Sequence, residues 1–422
     1  MKNLIAVIGP TGVGKSKLAI ELAHRFKGEI VNADSMQVYK GLDIITNKVS
    51  REEMAGIRHC LMDYVDPFKD AFTVQDWTSN ALKEIQDIQD RGKVAILVGG
   101  THYYLQSILT LQLITVESAA THQVNQVSQE IMGNLKEILD KSRLEPNEYA
   151  QELSDLLRII DPIMGNRWHP RDGRKIRRSL EVFYTTGMRQ SDIISKQKLD
   201  VKQRYRTCIV WPFVEKEALE KRLDDRIEEM IDMGLVKEIQ DFYDKVKENG
   251  FEMDFTRGIF QAIGFKEFQE YFRTNDPKDF KTGVELMKLH TRQYAKSQVK
   301  WIKNKLIGRL KDQISFISLD LTDLNAWEEN SLKVSEKVEE FLKGKDVQVV
   351  PHSYLVDYEP LNTNIIEWKQ FKCEICTDRI TKMPRIFNGE HEWKSHLDSR
   401  IHRRNAQKKI GYKNNRLLCD AR

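Results

Sequence analysis

The chain has 422 residues, with 67 Lys and Arg against 63 Asp and Glu, and 40% of its residues are hydrophobic. That length predicts two to four domains with sizeable cores, and only 10 Pro and 22 Gly exclude collagen-like, low-complexity and largely disordered chains. The net charge of +4 hides an asymmetry: residues 368–422 carry 14 Lys and Arg against 6 acids, so the remainder is slightly acidic, a distribution that suits a nucleic-acid partner.

Taken in order, Leu4–Ile8 reads as a buried strand, and Lys17–Phe26 as a helix with Leu18, Leu22 and Phe26 on one face. Glu29–Val31 is a second short strand that ends at Asn32-Ala33-Asp34. Val74–Arg91 is helical, and Val94–Val98 is a third strand stopped by Gly99-Gly100. Thr115 to Lys202 is polar and helical in pattern, which predicts a helical insertion. Cys208–Trp211 restores a strand, and helices are expected at Glu215–Asp232, Val236–Lys247, Arg257–Arg273 and Glu285–Leu310. The spacing gives a discontinuous core (residues 1–114 and 203–342), an insertion (115–202), a Pro-containing linker (343–367) and a basic C-terminal module (368–422). No apolar run has the length of a membrane span, and a strand at the very start leaves no room for a signal-peptide core. Five cysteines are too few for a disulfide scaffold, so a reducing, cytoplasmic setting is expected. The chain is expected to act as a monomer.

Gly9-Pro10-Thr11-Gly12-Val13-Gly14-Lys15-Ser16 follows a strand and opens a helix, which is the setting a phosphate-binding loop requires. Its backbone N–H groups can turn onto phosphate oxygens, Lys15 can neutralise them, and the Ser16 hydroxyl can hold Mg²⁺. The predicted fold class is therefore α/β, a P-loop NTPase-like parallel sheet core with a helical insertion domain. An ATPase or GTPase usually adds an acid at the end of a hydrophobic strand. The third strand ends Val98-Gly99-Gly100-Thr101, without one. Ile314–Asp320 could supply one, but Ser315 and Ser318 weaken it as a strand. The acid that does end a strand is Asp34, which suits a base aimed at a substrate.

These segments, with Asp34-Ser35-Met36-Gln37-Val38-Tyr39 and Gly99-Gly100-Thr101-His102-Tyr103-Tyr104-Leu105, make the chain resemble the tRNA dimethylallyltransferases. The likeness continues through Arg222-Leu223-Asp224-Asp225-Arg226, Ile263-Gly264-Phe265-Lys266-Glu267 and Thr291-Arg292-Gln293-Tyr294-Ala295-Lys296. With the C-terminal module included, it points to the eukaryotic branch. The resemblance implies transfer of a dimethylallyl group from dimethylallyl diphosphate to N6 of adenosine 37, beside the anticodon of tRNA. It implies Asp34 as the base on N6–H, Thr101 near the diphosphate and attacked carbon, and Arg226 on the diphosphate. As plain residues, Asp34 and Thr101 could be caps, and Arg226 could pair with Asp225 or Glu229. The other readings are a P-loop kinase or ATPase acting on RNA and a non-catalytic RNA-binding protein on a P-loop scaffold. The missing strand-end acid counts against the first, and intact Lys15, Ser16, Asp34, Thr101 and Arg226 against the second.

For the RNA, Arg167–Arg178 supplies Arg174, Arg177 and Arg178 among six bases against Asp172 alone. Lys288–Lys311 carries eight bases and no acid, with Lys288, Arg292, Lys296 and Lys300 recurring every four residues. An ordinary solvated helix mixes both signs, so this run favours phosphate contact. The resemblance adds Ser35, Met36, Gln37, Thr101, Gly264, Lys266 and Gln293 as tRNA contacts, with Gln37 offering a donor and an acceptor to an adenine edge. His290 and Ser297 stand where the family commonly has Arg, which predicts weaker phosphate contacts there or contacts supplied elsewhere.

In the C-terminal module, Cys373-x₂-Cys376 followed by His396-x₅-His402 has Cys₂His₂ zinc spacing with a long middle, resembling matrin/U1-type fingers. Both histidines are expected on one helix, and four protein ligands imply a closed, structural Zn²⁺ site. Cys60, Cys208 and Cys419 lack metal spacing.

Overall fold

Alternate residues of the strand Asn3–Ile8 (β1) serve two cores: Leu4, Ala6 and Ile8 pack into one, Ile5 and Val7 into the other, and all five are fully buried. A strand buried on both faces is the centre of a parallel sheet with helices on either side. The structure, a computed structural model, describes residues 2–68, 72–109, 133–139, 149–170, 172–196, 203–251, 253–255, 257–307, 314–349, 369–377 and 384–407. These fall into two compact units, one within Met1–Gln112 and Val201–Leu361, the other within Leu113–Asp200 and Asn362–Arg422.

The first unit holds a seven-stranded, all-parallel sheet. Its strands are β1, Gly28–Asn32 (β2), His59–Cys60 (β3), Val94–Gly99 (β4), Arg206–Phe213 (β5), Ser315–Asp320 (β6) and Gln348–Val349 (β7), in the order β3-β2-β4-β1-β5-β6-β7. Lys15–Phe26 (α1) leads away from β1, and Val74–Asp90 (α2) opens with a capping box between Thr73 and Asp76. His102–Leu109 (α3) follows β4. The loops after β1, β2 and β4 lie at the C-terminal ends of neighbouring strands, where open α/β sheets bind ligands. They carry the Gly-rich segment, Asp34 and Thr101.

Several expected elements differ. Ser315–Asp320 is a full strand: the Ser315 hydroxyl accepts from Val347 N at 3.1 Å, while the Ser318 hydroxyl is buried without a hydrogen-bond partner among the described residues. Its terminal Asp320 is exposed, accepts from Thr322 N, and ends a strand two places from β1. The helix expected over Arg257–Arg273 is broken into a 3₁₀ turn, Gly258–Gln261, irregular backbone through Gly264 (φ 128°), and a short helix, Gln269–Thr274. Phe260, Phe265 and Phe268 are buried from this irregular stretch. The last long basic helix begins at Pro277 with Asp276 as its cap, well before Glu285, and runs to Trp301 before a π-helical turn over Ile302–Ile307. A helix at Trp327–Leu342 packs against α1 and β6, and β7 lies within the segment read as a linker. The rest of that linker (350–367), much of the insertion and the last residues of the chain fall outside the described residues.

The second unit contains the helices Ala150–Ile160, Pro162–Arg167, Gly173–Thr186 and Gln190–Lys196, around Leu153, Leu157, Met164, Ile176, Leu180 and Phe183. It also contains the antiparallel pair Gln370–Thr377 (β8) and Pro384–Asn388 (β9), followed by the helix Glu390–Leu397. Gln370 Nε2 donates to Trp168 O at 2.8 Å, joining this hairpin to the helices.

Candidate active site

The helix after β1 starts at Lys15 with Gly14 in the left-handed region (φ 83°), no side-chain cap and no acid in its first turn. Its leading N–H groups are thus left for an external anion. Lys15 Nζ donates to Pro10 O at 2.8 Å. Burial pushes the Lys15 ammonium down to about 8; the Asp34 charge opposes this and the Arg226 charge adds to it. Arg226 comes from the helix Lys216–Asp232 (α4), and its own pKa is lowered by burial, against the pull of Glu229 and Asp34. Its Nε is enclosed without a hydrogen-bond partner among the described residues. Asp225, a rival partner, pairs instead with Lys221 at 2.6 Å. Lys15, Asp34 and Arg226 are therefore electrostatic neighbours, two cations around one carboxylate, with an orphaned guanidinium N–H. That excess suits a polyphosphate anion.

Within the loop the backbone is already partly committed. Thr11 N donates to Gln298 Oε1 at 3.0 Å, so this N–H points at protein and not at phosphate. Gly9, Gly12, Val13 and Ser16 complete the loop, with Val13 buried in the core beneath it.

Asp34 is turned by its own loop. Its Oδ1 accepts from Met36 N (2.9 Å) and Gln37 N (3.4 Å), while Oδ2 has no donor among the described residues. Thr101 Oγ1 accepts from Ser35 N at 2.9 Å and lies 3.3 Å from Ser35 Oγ. The Thr101 hydroxyl thus binds the Asp34 loop across the sheet top, while its carbonyl accepts from Leu105 N at the start of α3. Gln37 gives both amide hydrogens to Thr46 O and Asn47 O, at 3.1 and 3.0 Å. Only its carbonyl remains for an incoming base, so it can read a donor but not offer one.

Two residues on the helix Pro277–Trp301 (α5) were not legible as site residues. Gln298, 1% exposed, donates through Nε2 to Gly100 O at 3.1 Å besides holding Thr11 N. The Tyr294 side chain is 39% exposed, but its hydroxyl end meets Thr101; enclosure of that end, together with the Asp34 charge, raises its pKa.

The basic run on α5 is less free than its sequence predicts. Arg292 Nη1 sits 2.6 Å from both oxygens of Asp224 on α4, and Lys288 pairs with Glu228 on the same helix. The missing acids are supplied by a neighbour. His290 Nδ1 lies 2.6 Å from Glu267 Oε1, whose other oxygen accepts from Gly264 N at 2.7 Å. Lys266 lies 5.8 Å from the Phe255 ring. Gln293, Lys296 and Lys300 are exposed, and neither lysine has a carboxylate partner among the described residues. In the second unit Arg174 is exposed, Arg178 pairs with Glu181 at 3.6 Å, and Arg177 is partly buried.

Also in the second unit, one ligand atom from each of Cys373, Cys376, His396 and His402 lies within 4.8 Å of the others. The histidines occupy two helical segments, 390–397 and 400–407, instead of one. His402 Nδ1 stands 3.5 Å from Cys373 Sγ, 3.7 Å from Cys376 Sγ and 3.0 Å from His396 Nε2. A tetrahedral ion with bonds of about 2.3 Å to sulfur and about 2.0 Å to nitrogen spaces its ligands by roughly 3.3–3.8 Å, so the set fits a metal. Cys376 N and Asn405 Nδ2 each donate to a cysteine sulfur at 3.3 Å, as thiolates require.

A family model described as IPP transferase matches residues 37–305. The chain is 38% identical over 427 residues to the tRNA dimethylallyltransferase of Schizosaccharomyces pombe, covering 97% of this chain and 96% of that protein. It is 34% identical to the tRNA dimethylallyltransferase of Saccharomyces cerevisiae, covering 96% of this chain and 92% of that one. A solved structure described as a eukaryotic dimethylallyltransferase acting on tRNA superposes with a TM-score of 0.84 at 32% identity, covering 99% of this chain and 100% of that chain.

Proposed function

The chain belongs to the tRNA dimethylallyltransferase family and transfers a dimethylallyl group from dimethylallyl diphosphate to tRNA, and we propose that the acceptor is N6 of adenosine 37 with Asp34 as its base. The observation that carries the proposal is the clustering of Asp34 with Lys15 and Arg226, one carboxylate beside two buried cations. The adenine amino group is a weak nucleophile because its lone pair is delocalised. As the bond from N6 to the allylic carbon forms, the carbon–oxygen bond to the diphosphate breaks, and the oxygen keeps the electron pair. Asp34 Oδ2 takes the N6 proton, while Met36 N and Gln37 N hold Oδ1 in place. Lys15, Arg226 and the N–H groups leading α1 stabilise the departing anion. Mg²⁺, held by the Ser16 hydroxyl and the diphosphate, would add charge to the same oxygens. The Gln37 carbonyl is suited to accept from the adenine amino group, after the base has left its stack.

Gln293, Lys296, Lys300 and Arg174 are the proposed tRNA contacts, while Arg292 is spent on Asp224. Zn²⁺ is the proposed metal of the Cys₂His₂ set, with a structural role because no ligand position is left open. A reducing, cytoplasmic compartment is the proposed setting and would keep Cys373 and Cys376 reduced and free to bind the metal.

The test is transfer of radiolabelled prenyl groups to an unmodified anticodon stem-loop with adenosine at positions 36, 37 and 38. Replacing adenosine 37 should abolish incorporation, and Asp34→Asn should lower turnover by a factor of about 10²–10⁴ with both substrates still bound. Wild-type turnover by Asp34→Asn would overturn the assignment of the base.

A further inference from the structure

We propose that Gln298 is a positioning residue that fixes the diphosphate loop and the Thr101 loop to each other, so that leaving group and attacked carbon are presented in one register. The proposal rests on the functional reading above.

The two loops follow different strands, β1 and β4, and Gln298 reaches both from a third element, α5. Its carbonyl oxygen accepts from Thr11 N at 3.0 Å, and its amide donates to Gly100 O at 3.1 Å. The side chain is enclosed, so these two bonds cannot be exchanged for water, and losing either leaves a buried polar group unpaired. The fit is close: a Cβ at residue 100 would lie 2.2 Å from Gln298 Nε2, so only glycine admits the amide there.

Two neighbours on the same helix face make contacts beside it. Tyr294, Gln298 and Trp301 recur at i, i+4 and i+7 on one face of α5. Gln298 meets Gly100, Tyr294 meets Thr101, and the Trp301 ring stacks on His102 at 4.4 Å with 2° between planes. One helix face therefore lies along residues 100–102, and only its central member continues to the diphosphate loop.

Taking Thr11 N–H out of the set of possible phosphate donors also fixes the orientation of that peptide. The donors that follow it from Gly12 to Ser16 are then aimed from a fixed start. Without the bond, the loop could bind a diphosphate in several orientations, and a misplacement of about 1 Å can cost about 10²-fold in rate.

The experiment is steady-state kinetics on the full chain with both substrates varied. Gln298→Met keeps the volume and removes both bonds. It should raise KM for dimethylallyl diphosphate at least tenfold and lower kcat, with KM for tRNA within twofold of wild type. Gln298→Glu keeps the acceptor for Thr11 N but can donate to Gly100 O only when protonated. Its defect, as a ratio to wild type, should therefore shrink at least threefold between pH 8 and pH 5.5. If Gln298→Met does not fold, that ratio alone decides. Unchanged constants, a parallel rise in both KM values, or a pH-independent Gln298→Glu defect would overturn the proposal. A wild-type chain inactive in prenyl transfer would instead count against the functional reading.

Discussion

Nη1 of Arg292 on α5 holds both carboxylate oxygens of Asp224 at 2.6 Å, and Asp224 lies two residues before Arg226 on α4. Lys288 meets Glu228, two residues after Arg226. Half of the periodic basic stripe is thereby used to hold the helix that carries the buried guanidinium. Lys296 and Lys300, further along α5, have no such partners among the described residues.

Salt-dependent binding should separate these roles. Lys300→Ala should weaken tRNA binding and reduce the slope of log affinity against log salt by about one. Arg292→Ala should leave that slope unchanged and raise KM for dimethylallyl diphosphate. Exchanging the charges, Arg292→Asp with Asp224→Arg, should recover part of that loss. A slope change for Arg292→Ala equal to that for Lys300→Ala would return Arg292 to the RNA surface.

The buried Lys15 sets a pH dependence. Its pKa of about 8 lies below the ordinary 10.5, so the free folded protein binds this proton less tightly than the unfolded chain. The charge therefore costs stability at neutral pH, by an amount on the order of 3 kcal/mol. That cost falls as pH rises through 8 towards 10.5. Lys15→Met should raise the melting temperature of the substrate-free protein at pH 7, and the gain should shrink by pH 10. Diphosphate binding at pH 8.5 should take up a proton, which calorimetry in buffers of different ionisation enthalpy measures.

Arg226→Lys should not restore what Arg226→Ala loses. The enclosed Nε needs an acceptor and a fork geometry that an ammonium lacks. Both variants should lower kcat by about 10²-fold or more, with tRNA affinity within twofold of wild type. Wild-type kcat in Arg226→Lys would mean that position 226 supplies charge alone.

For the metal site, one Zn²⁺ per chain should be found by elemental analysis and lost in Cys373→Ser. Removing it should unfold the hairpin and helices of residues 369–407 without altering binding of dimethylallyl diphosphate. Weaker tRNA binding with a shallower salt slope is also expected, and an unchanged affinity would deny the module any part in holding RNA.

How much of this was legible follows the range of each interaction. The Gly9–Ser16 loop, Asp34 and Thr101 are local signals, since strand, turn and helix start lie within a few residues. Gln298 was illegible because its partner Thr11 lies 287 positions away and nothing local marks a glutamine as a staple. The acid-free run on α5 misled for the same reason, since Asp224 lies 68 positions from Arg292. β6 looked too polar because the partner of its Ser315 hydroxyl, Val347 N, lies 32 positions later in the chain, just before β7. The helix Trp327–Leu342 does carry a local signal, as Trp327, Val334, Val338 and Phe341 recur at helical spacing and are all buried.

The strand order also governs how the protein can be made. β1 sits between β4 and β5, yet β5 begins at Arg206, after the whole insertion has been synthesised. A nascent chain can therefore assemble β3-β2-β4-β1 with the loops of Lys15, Asp34 and Thr101 in place, while one edge of β1 stays unpaired. An unpaired apolar edge is a site for aggregation, so the interval between β4 and β5 is the vulnerable stage of biogenesis. Arg226 and Gln298 follow β5 in the chain, so the catalytic centre is completed only after that edge is covered.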